Sequence, residues 1–580
     1  MKNEPSKAFL KSDKNLDRWL HAQLSQMTAG ISIASLRMAF DDWSTHLLHN
    51  PSEQMELAQK IFHSLLKLAD YATHSSLAPC PPCIEPMLHD RRFSHEGWQS
   101  WPYNLISQSF LLAQQWWDEA TIGVHGVSHH HENVVSFTVR QWLDMLSPSN
   151  FVWTNPEVLD RTLKTGGANL WHGLQNFVQD VQRLREQEPP SGTEKFQVGS
   201  NVAITPGKVV FRNRLMELIQ YAPAGPQVYP EPVLVVPSWI MKYYILDLSP
   251  GNSLIRYLVE QGHTVFAISW KNPTSEDRDL GLDDYLDLGV MAAMQAVRTI
   301  VPKQNVHTVG YCLGGTLLSM AATAMGREGD KRMATMTLLA AQTDFTEPGE
   351  LALFIDDSQV AYMEDIMWDK GFLDSTQMAG AFQWMSSNDL VWSRVLKNYL
   401  LGERSVSTDL TAWNADGTRL PYRMHSEYLH SLFLDNDLAS GRYLVAGTPV
   451  ALTDIRCPIY CLGTERDHVA PWRSVHKLHL LTDCELTFVL SSGGHNVGIV
   501  NPPGIPGRSH QVLMRKHDGK YIDPDTWVLV APHFEDSWWP HWIGWLQARS
   551  GKPCPAPSMG SSKKGLPPIC DAPGTYVLQR

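Results

Sequence analysis

The sequence predicts an α/β fold built on a mainly parallel, right-handed doubly wound sheet, to which helical segments are added. Three observations lead to this prediction. Short apolar runs alternate with helical patterns from Pro230 onwards, residues 1–200 lack strand-like alternation, and a Met- and Trp-rich segment at 345–445 interrupts the rhythm. We therefore expect a helical N-terminal region at 1–200, an α/β domain at 201–550 with a helical cap insertion at 345–445, and an irregular tail at 551–580.

The N-terminal region contains one well-marked helix start. Asn50-Pro51-Ser52-Glu53 combines an Asn N-cap, proline at the first helical position and glutamate at the third. The apolar residues that follow share one helical face: Ala58, Ile61, Phe62, Leu65, Leu66 and Ala69. Further helices are predicted around Leu105–Trp117 and Ser136–Leu146. The region is interpreted as an interaction module or as a layer that stabilises the α/β domain, and both interpretations stay open.

The α/β domain is predicted from alternating strands and helices. Strands are expected at Pro232–Pro237, Thr264–Trp270, Val306–Tyr311, Ala334–Ala341, Cys457–Gly463 and Glu485–Leu490. Helices are expected between them at Ser253–Gln261, Tyr285–Ile300 and Arg473–Leu481. The tail is rich in Pro, Gly, Ser and Lys, a composition typical of irregular structure.

Charge and hydropathy exclude several classes of partner. The net charge is −12 and there is no long Lys/Arg run, which argues against nucleic acid and anionic membranes as main partners. The segment Met1–Leu20 is charged throughout, and the longest uncharged run, Thr308–Gly326, is rich in Gly, Thr and Ser. No signal peptide and no transmembrane segment are therefore expected, and the eight cysteines are expected to be reduced in the cytoplasm.

Two patterns resemble metal sites but lack the required spacing. Cys80-Pro81-Pro82-Cys83 has no second CxxC to complete a zinc site. The three adjacent histidines His129-His130-His131 cannot all face one ion, and a solvated or hydrogen-bonded loop is expected there. No metal is predicted.

The sequence Gly310-Tyr311-Cys312-Leu313-Gly314 follows a predicted strand and opens a predicted helix. This is the G-x-nucleophile-x-G elbow of the α/β-hydrolase fold, with cysteine as the nucleophile. The flanking Gly310 and Gly314 are needed because a side chain there would clash with the crossing backbone. The helix N-terminus points at the sulfur and favours its thiolate, and the main-chain N–H of Leu313 is placed to stabilise an oxyanion.

The partners of Cys312 should follow as an acid and then a histidine. Asp467 comes just after the strand Cys457–Gly463, and His495 comes just after the last predicted strand, so both belong to the same sheet edge as Cys312. Glu465 and His468 are the competing residues in the first loop. A second oxyanion donor is expected from the loop Pro237-Ser238-Trp239-Ile240, where we favour the main-chain N–H of Ile240.

Several segments resemble polyhydroxyalkanoate synthases. They are Gly310-Tyr311-Cys312-Leu313-Gly314-Gly315, Arg466-Asp467-His468 with Pro471-Trp472, His495-Asn496-Val497-Gly498-Ile499-Val500-Asn501-Pro502-Pro503, Tyr243-Tyr244-Ile245-Leu246-Asp247-Leu248 and Leu143-Asp144-Met145-Leu146-Ser147-Pro148-Ser149-Asn150-Phe151. They stand in the family's order over nearly the whole chain. One position departs, because the family pattern Glu-Asp-His reads Arg466-Asp467-His468 here, which changes the charge beside Asp467.

The resemblance implies a cytoplasmic enzyme, associated with polymer granules, that polymerises (R)-3-hydroxyacyl-CoA and releases coenzyme A. It carries the catalytic roles onto Cys312, Asp467 and His495. It further implies a single-subunit, short-chain type, which we expect to act as a homodimer. No cofactor is predicted, since coenzyme A is the leaving group of the substrate.

Thioester chemistry explains a cysteine nucleophile. A thiolate that attacks a thioester forms another thioester, so the acyl group stays activated for transfer to a hydroxyl. His495 would deprotonate Cys312, while Asp467 would either orient His495 or assist deprotonation of the incoming hydroxyl. The cap insertion at 345–445 would exclude water.

Two other functions are compatible with parts of the pattern. A Cys-dependent thioesterase or depolymerase would share the fold, but it would not need residues 1–200. A non-enzymatic granule-coat protein would not need Cys312, Asp467 and His495 together.

Overall fold

The computed structural model describes residues 16–25, 28, 30–76, 80–87, 90–186, 188–375, 377–378 and 391–580. These residues fall into two compact units. One unit, the helical unit, comprises the described residues of 27–192 together with 391–407. The other, the α/β unit, comprises the described residues of 1–26, 193–378 and 408–580.

The described residues of the helical unit include six α-helices and the π-helix Val395–Leu400. The α-helices are α1 Ile33–His49, α2 Pro51–Ser75, α3 Tyr103–Thr121, α4 His129–Leu146, α5 Pro156–Thr165 and α6 Ala168–Arg185. The two predicted helices at 105–117 and 136–146 lie within α3 and α4. Arg404 Nη1 lies 2.7 Å from Oδ1 of Asp180 on α6, so residues after the π-helix are tied to the unit by charge.

The start of α2 differs in detail from the expected cap. The helix begins at Pro51, but the side chain of Asn50 makes no capping bond and donates instead to the carbonyl of His125 at 3.0 Å. Glu53 likewise accepts from the main-chain N–H of His125 at 3.1 Å. Both side chains therefore bind the loop that precedes α4.

The three histidines predicted to form a loop are instead the first turn of α4. Ser128 caps this helix by accepting from the N–H of His131, and His131 Nδ1 lies 2.7 Å from Asp42 Oδ2. The N-cap serine followed by a helical run explains why the loop prediction was wrong.

The α/β unit contains an eleven-stranded sheet. Its strands are β1 Gly207–Arg212, β2 Met216–Tyr221, β3 Val233–Val236, β4 Val265–Trp270, β5 Val306–Tyr311, β6 Met333–Leu339, β7 Ile459–Thr464, β8 Leu486–Ser491, β9 Ser509–Arg515, β10 His533–Glu535 and β11 Cys570–Asp571. The order across the sheet is β10-β9-β8-β7-β6-β5-β3-β4-β2-β1-β11. The six central strands, β8 to β4 in this order, run parallel to one another, and the outer strands pair antiparallel, so the prediction of an α/β-hydrolase fold with a mainly parallel sheet is confirmed.

The helices of this unit include those that connect the parallel strands. They are α7 Leu254–Glu260, α8 Leu282–Asp284, α9 Ala292–Ile300, α10 Leu313–Arg327, α11 Asp357–Lys370, α12 Asp409–Asn414, α13 Tyr422–Tyr428, α14 Trp472–His476, α15 Leu478–Leu481, α16 Pro524–Val530 and α17 Trp539–Gln547. The π-helices Tyr285–Met291 and Leu429–Leu434 continue α8 and α13. In α10, residues Leu313–Met325 are all buried, which accounts for the small side chains of this helix.

The segment between β6 and β7 is the helical insertion that the sequence predicted. In the α/β unit it contributes α11, α12 and α13, together with two short strand pairs, Phe372–Leu373 with Leu420–Pro421 and Leu444–Val445 with Thr448–Pro449. Residues 391–407, which we had placed in the cap, belong to the helical unit. Residues 376 and 379–390 of the insertion lie outside the described residues.

The tail at 551–580 is more regular than its composition suggests. Strand β11 pairs with β1 at the sheet edge, and Cys554–Pro555 pairs with Gln227–Val228. Main-chain N–H groups of Ile569 and Ala572 donate to the carbonyls of Val209 and Gly207 at 2.7 and 3.0 Å. Short edge strands accept Pro and Gly because only one side of the strand needs hydrogen bonds.

Candidate active site

Cys312 occupies a strained turn between β5 and α10. Its backbone has φ 51° and ψ −127°, which is unfavourable for a residue with a side chain. An added Cβ on Gly310 would lie 2.3 Å from Cα of Gly315, and one on Gly314 would lie 2.2 Å from the carbonyl oxygen of Val236. Both positions therefore require glycine, and the turn holds the half-buried thiol at the carboxyl end of β5.

The start of α10 supplies main-chain donors beside Cys312. Cys312 is the N-cap of the helix, and Leu313 is its first residue. The N–H groups of a first helical turn have no acceptor within the helix. The carbonyl of Cys312 already accepts from Gly315 at 2.8 Å, which fixes the turn. The N–H of Leu313 thus fits the predicted role of an oxyanion donor.

Asp467 is fully buried in the loop after β7. Its Oδ1 accepts from the N–H groups of Val469 and Ala470 at 2.9 and 2.8 Å, and its Oδ2 accepts from Oγ1 of Thr464 at 3.0 Å. Burial raises the pKa of Asp467, but the imidazole of His495 and the N–H donors outweigh burial and bring this pKa below its usual value. The carboxylate is therefore charged and fixed in direction.

The competing residues of the same loop face solvent. Glu465 and His468 are exposed, whereas Asp467 lies between them with its carboxylate turned inwards. The main chain of His468 holds another loop, because its carbonyl accepts from the N–H of Glu350 at 3.1 Å.

His495 joins the acid to the thiol. Its Nδ1 lies 2.8 Å from Oδ2 of Asp467, and its ring is near enough to Cys312 for the thiol to affect the pKa of His495. Burial lowers the pKa of His495, but the charge of Asp467 and the interaction with Cys312 outweigh burial and raise this pKa well above its usual value. The three side chains form the continuous series Cys312–His495–Asp467 at the carboxyl ends of β5, β8 and β7.

Ile240 lies in the loop after β3, as the sequence predicted for a second oxyanion donor. Its N–H donates to Oγ of Ser238 at 3.3 Å, which is a long hydrogen bond. A substrate oxygen would have to replace the Ser238 hydroxyl. The assignment of Ile240 stays a prediction.

Three residues near the site were not singled out in the sequence. Thr464 orients Asp467, and the buried Tyr311 donates its OH to Oδ1 of Asn496 at 2.7 Å, beside His495.

Tyr428, from the insertion, is close enough to Cys312 for the two to interact electrostatically. The ring of Tyr428 packs edge-on against Trp239 and Phe433 with centroids 6.3 and 5.2 Å away.

The described ranges hold neither a metal-ligand cluster nor a membrane-spanning helix. No group of three or more His, Cys, Asp or Glu side chains there is arranged to hold a metal ion. None of the helices in the described part of the chain is long and apolar enough to span a bilayer.

Comparison with known proteins gives three family matches. Residues 89–258 match the poly-beta-hydroxybutyrate polymerase (PhaC) N-terminus, residues 11–52 match the poly-beta-hydroxybutyrate polymerase N terminal family, and residues 231–502 match the alpha/beta hydrolase fold. A poly(3-hydroxyalkanoate) polymerase of Methylorubrum extorquens is 38% identical over 539 residues, which cover 92% of this chain and 88% of that protein.

A second relative is the poly(3-hydroxyalkanoate) polymerase subunit PhaC of Cupriavidus necator. It is 36% identical over 499 residues, which cover 84% of this chain and 83% of that protein. Among solved structures, a monoacylglycerol lipase of Paleococcus ferrophilus is 12% identical with a TM-score of 0.31, covering 58% of this chain and 99% of that one.

Proposed function

The chain belongs to the poly(3-hydroxyalkanoate) polymerase family, and we propose that it joins hydroxyacyl units through a thioester formed on Cys312. As a member of that family it is an acyltransferase that polymerises hydroxyacyl-CoA. The observation that supports a cysteine intermediate is the series Cys312–His495–Asp467, in which Asp467 and His495 are hydrogen-bonded at 2.8 Å.

In the first half-reaction His495 takes the proton of the Cys312 thiol. The thiolate attacks the thioester carbonyl carbon, and the resulting oxyanion accepts hydrogen bonds from the N–H of Leu313 and, as proposed, of Ile240. Collapse breaks the bond between the carbonyl carbon and the sulfur of coenzyme A. His495 returns its proton to that sulfur, so coenzyme A leaves as a thiol and the acyl group remains on Cys312.

In the second half-reaction a 3-hydroxyl replaces the thiol of Cys312. His495 accepts the hydroxyl proton, the oxygen attacks the thioester on Cys312, and the thiolate leaves and regains a proton. Asp467 is bound through Oδ2 to His495 Nδ1, which supports an orienting role for it. Because an oxoester is formed from a thioester, the step is downhill.

The first experiment tests the intermediate. Cys312→Ala should abolish release of coenzyme A from (R)-3-hydroxybutyryl-CoA. Mass spectrometry of the wild type should show one added acyl group on the intact protein and, after proteolysis, on the peptide that contains Cys312. Cys554→Ala removes another half-buried cysteine and is the matched control, with unchanged activity. Full activity of Cys312→Ala would refute the proposal, whereas absence of activity in the wild type would favour the granule-coat alternative.

The second experiment separates polymerisation from hydrolysis. Gel permeation of the products should give high-mass polyester with (R)-3-hydroxyacyl units. Free hydroxy acid as the main product would identify the thioesterase alternative. The family resemblance implies a preference for short-chain monomers, and this preference is part of the proposal. Monomer analysis of polymer made from mixed substrates tests this preference.

The proposal includes a cytoplasmic enzyme bound to polymer granules through its helical unit. The predicted apolar face of α2 is largely exposed: Ile61 is 42%, Phe62 61%, Leu65 58% and Leu66 53% exposed. Apolar side chains on α6 are exposed as well, among them Trp171, Leu174, Phe177 and Val178. Exposed apolar area on this scale fits binding to an apolar polyester surface.

Granule binding is tested by sedimentation with purified polyester particles. Phe62→Gln combined with Leu65→Gln should reduce the bound fraction, because both side chains lie on the exposed face of α2. Leu529→Gln, which changes an 85% exposed leucine of the α/β unit, is the control. Equal binding of all three proteins would contradict this part of the proposal.

The proposed homodimer is tested separately by sedimentation velocity at several protein concentrations.

A further inference from the structure

The loop at 238–242, here the oxyanion loop, is held by residues 413–418 of the insertion. Three of its carbonyl groups accept hydrogen bonds from that segment. The indole Nε1 of Trp413 donates to the carbonyl of Lys242 at 2.7 Å, and the N–H of Thr418 donates to the carbonyl of Ile240 at 3.3 Å. Met241 and Gly417 form an antiparallel bridge between these contacts. The insertion thus runs along the loop like a short strand.

The side-chain hydroxyl of Thr418 also contacts carbonyl oxygens of the oxyanion loop. Its Oγ1 lies 2.7 Å from the carbonyl oxygen of Trp239 and 2.5 Å from that of Ile240. A hydroxyl has one proton to donate. Both carbonyl oxygens lie within hydrogen-bond distance of this one proton, so the hydroxyl restrains the Trp239 carbonyl together with that of Ile240. Thr418 is 4% exposed, so this bond is shielded from water and its loss would leave a buried carbonyl unpaired.

A bond to the carbonyl of Trp239 has a direct effect on the N–H of Ile240. The two groups belong to one trans peptide unit, where the C=O and the N–H point in opposite directions. Fixing the carbonyl towards Thr418 therefore fixes the N–H on the other side, where Oγ of Ser238 now accepts it. The direction of this N–H decides whether it can reach a developing oxyanion.

We infer that Thr418 is a positioning residue for acyl transfer: it orients the Trp239–Ile240 peptide so that the Ile240 N–H faces the oxyanion. The inference rests on the proposed function, because it requires a tetrahedral intermediate on Cys312. It also gives the insertion a role in transition-state stabilisation, in addition to excluding water.

The test compares two reactions of the same thiol. Attack of Cys312 on (R)-3-hydroxybutyryl-CoA builds an oxyanion and needs its donors. Alkylation of Cys312 by iodoacetamide displaces iodide at a saturated carbon and builds no oxyanion. A misdirected Ile240 N–H slows the first reaction and leaves the second unchanged, whereas general disruption of the site slows both.

Thr418→Val keeps the shape of the side chain and removes the hydroxyl. We expect its single-turnover acylation rate to fall by about tenfold or more, since loss of a whole oxyanion donor costs about 10² to 10³ in rate. Alkylation should stay within about twofold. Thr418→Ser restores the hydroxyl and should recover most of the acylation rate. Thr323→Val is the control, because Thr323 is equally buried and donates to the carbonyl of Met320 at 2.7 Å within α10.

Trp413→Phe provides a second variant in case Thr418→Val folds poorly, because it removes only the indole donor to Lys242. It should slow acylation selectively as well. Acylation of Thr418→Val at the wild-type rate, or an equal decrease of acylation and alkylation, would overturn the role of Thr418. Absence of an acyl group on wild-type Cys312 would instead refute the proposed function itself.

Discussion

Oδ2 of Asp467 lies 2.8 Å from Nδ1 of His495, and the opposite oxygen of the carboxylate accepts two main-chain N–H groups. The carboxylate is therefore locked in a direction that selects one tautomer of His495, with its proton on Nδ1 and its Nε2 free to exchange a proton with Cys312. The same arrangement keeps Asp467 charged beside a half-buried ring.

Asp467→Asn should reduce acylation of Cys312 by about 10³ to 10⁴, because the amide cannot hold the same tautomer. It should also lower the pKa of His495, since the charge of Asp467 is a main cause of its raised value. Single-turnover release of coenzyme A measures the rate, and NMR titration of the His495 ring measures the pKa. Glu465→Gln changes the exposed carboxylate two residues away and is the control. A comparable loss in Glu465→Gln would contradict the assignment of the acid.

Gly314→Ala should destabilise the α/β unit. The new Cβ would lie 2.2 Å from the carbonyl oxygen of Val236 and 2.5 Å from that of Pro237, and both atoms belong to backbone that cannot move cheaply. A loss of about 3 kcal/mol or more is expected from such overpacking.

The control for this substitution is Gly544→Ala in α17, where an added Cβ meets nothing within 4 Å. Alanine should stabilise that helix by up to about 1 kcal/mol. Urea denaturation followed by tryptophan fluorescence measures both changes. Equal midpoints for the two variants would show that the elbow tolerates a side chain at 314.

The elements that the sequence predicted well are those with uniform burial. Strands β3 and β8 are buried along their whole length and are mostly apolar, and the elbow after β5 follows from the glycines around Cys312. Strand β2 was missed because it buries polar residues. Glu217 in β2 is fully buried and lies 2.6 Å from Nη2 of Arg212 in β1, a pairing that no local pattern reveals.

The residues of the candidate site also differ in how well the sequence predicts their position. Cys312, Asp467 and His495 each follow a strand, so their place at one sheet edge can be inferred from chain order. Thr418 and Tyr428 come from the insertion, far along the chain from the loops that they contact. Their position depends on how the insertion folds back, which local sequence does not encode.

His476→Phe should make the protein less sensitive to acid. His476 is fully buried among Trp472, Phe488 and Trp527, and burial lowers its pKa to about 4. The unfolded chain takes up this proton near pH 6.5 and the folded chain only near pH 4, so stability falls as pH decreases through this window.

The cost of burying neutral His476 should amount to about 2 kcal/mol at pH 5 and should vanish above pH 7.5. Chemical denaturation at pH 5 and pH 8 measures the difference between wild type and variant. His517→Gln, at an exposed position in a turn, should leave the pH dependence unchanged. A variant whose stability falls with acid as steeply as that of the wild type would show that His476 is not a source of the sensitivity.

Truncation after Tyr576 should destabilise the α/β unit through Lys242. The ammonium of this buried lysine donates to the carbonyls of Val577 and Gln579 at 2.5 and 2.7 Å and lies 3.0 Å from Oδ1 of Asp416. Burial lowers the pKa of Lys242, and the charge of Asp416 opposes this effect. Without the last residues the ammonium keeps only Asp416, and a loss of about 3 kcal/mol is expected for a buried charge that loses its partners.

Lys242→Met distinguishes a lost charge partner from a general effect of truncation. In the truncated chain it removes the under-bonded ammonium and should restore part of the stability. In the full chain it should be destabilising, because it leaves both carbonyls without a donor and leaves Asp416 with the Tyr244 hydroxyl alone. The two changes should therefore be strongly non-additive in urea denaturation. Lys564→Met removes an exposed lysine that donates to the carbonyl of Thr299 at 3.0 Å, and it should be additive with the truncation. Additive behaviour of Lys242→Met would mean that the tail stabilises the unit by contacts other than those to Lys242.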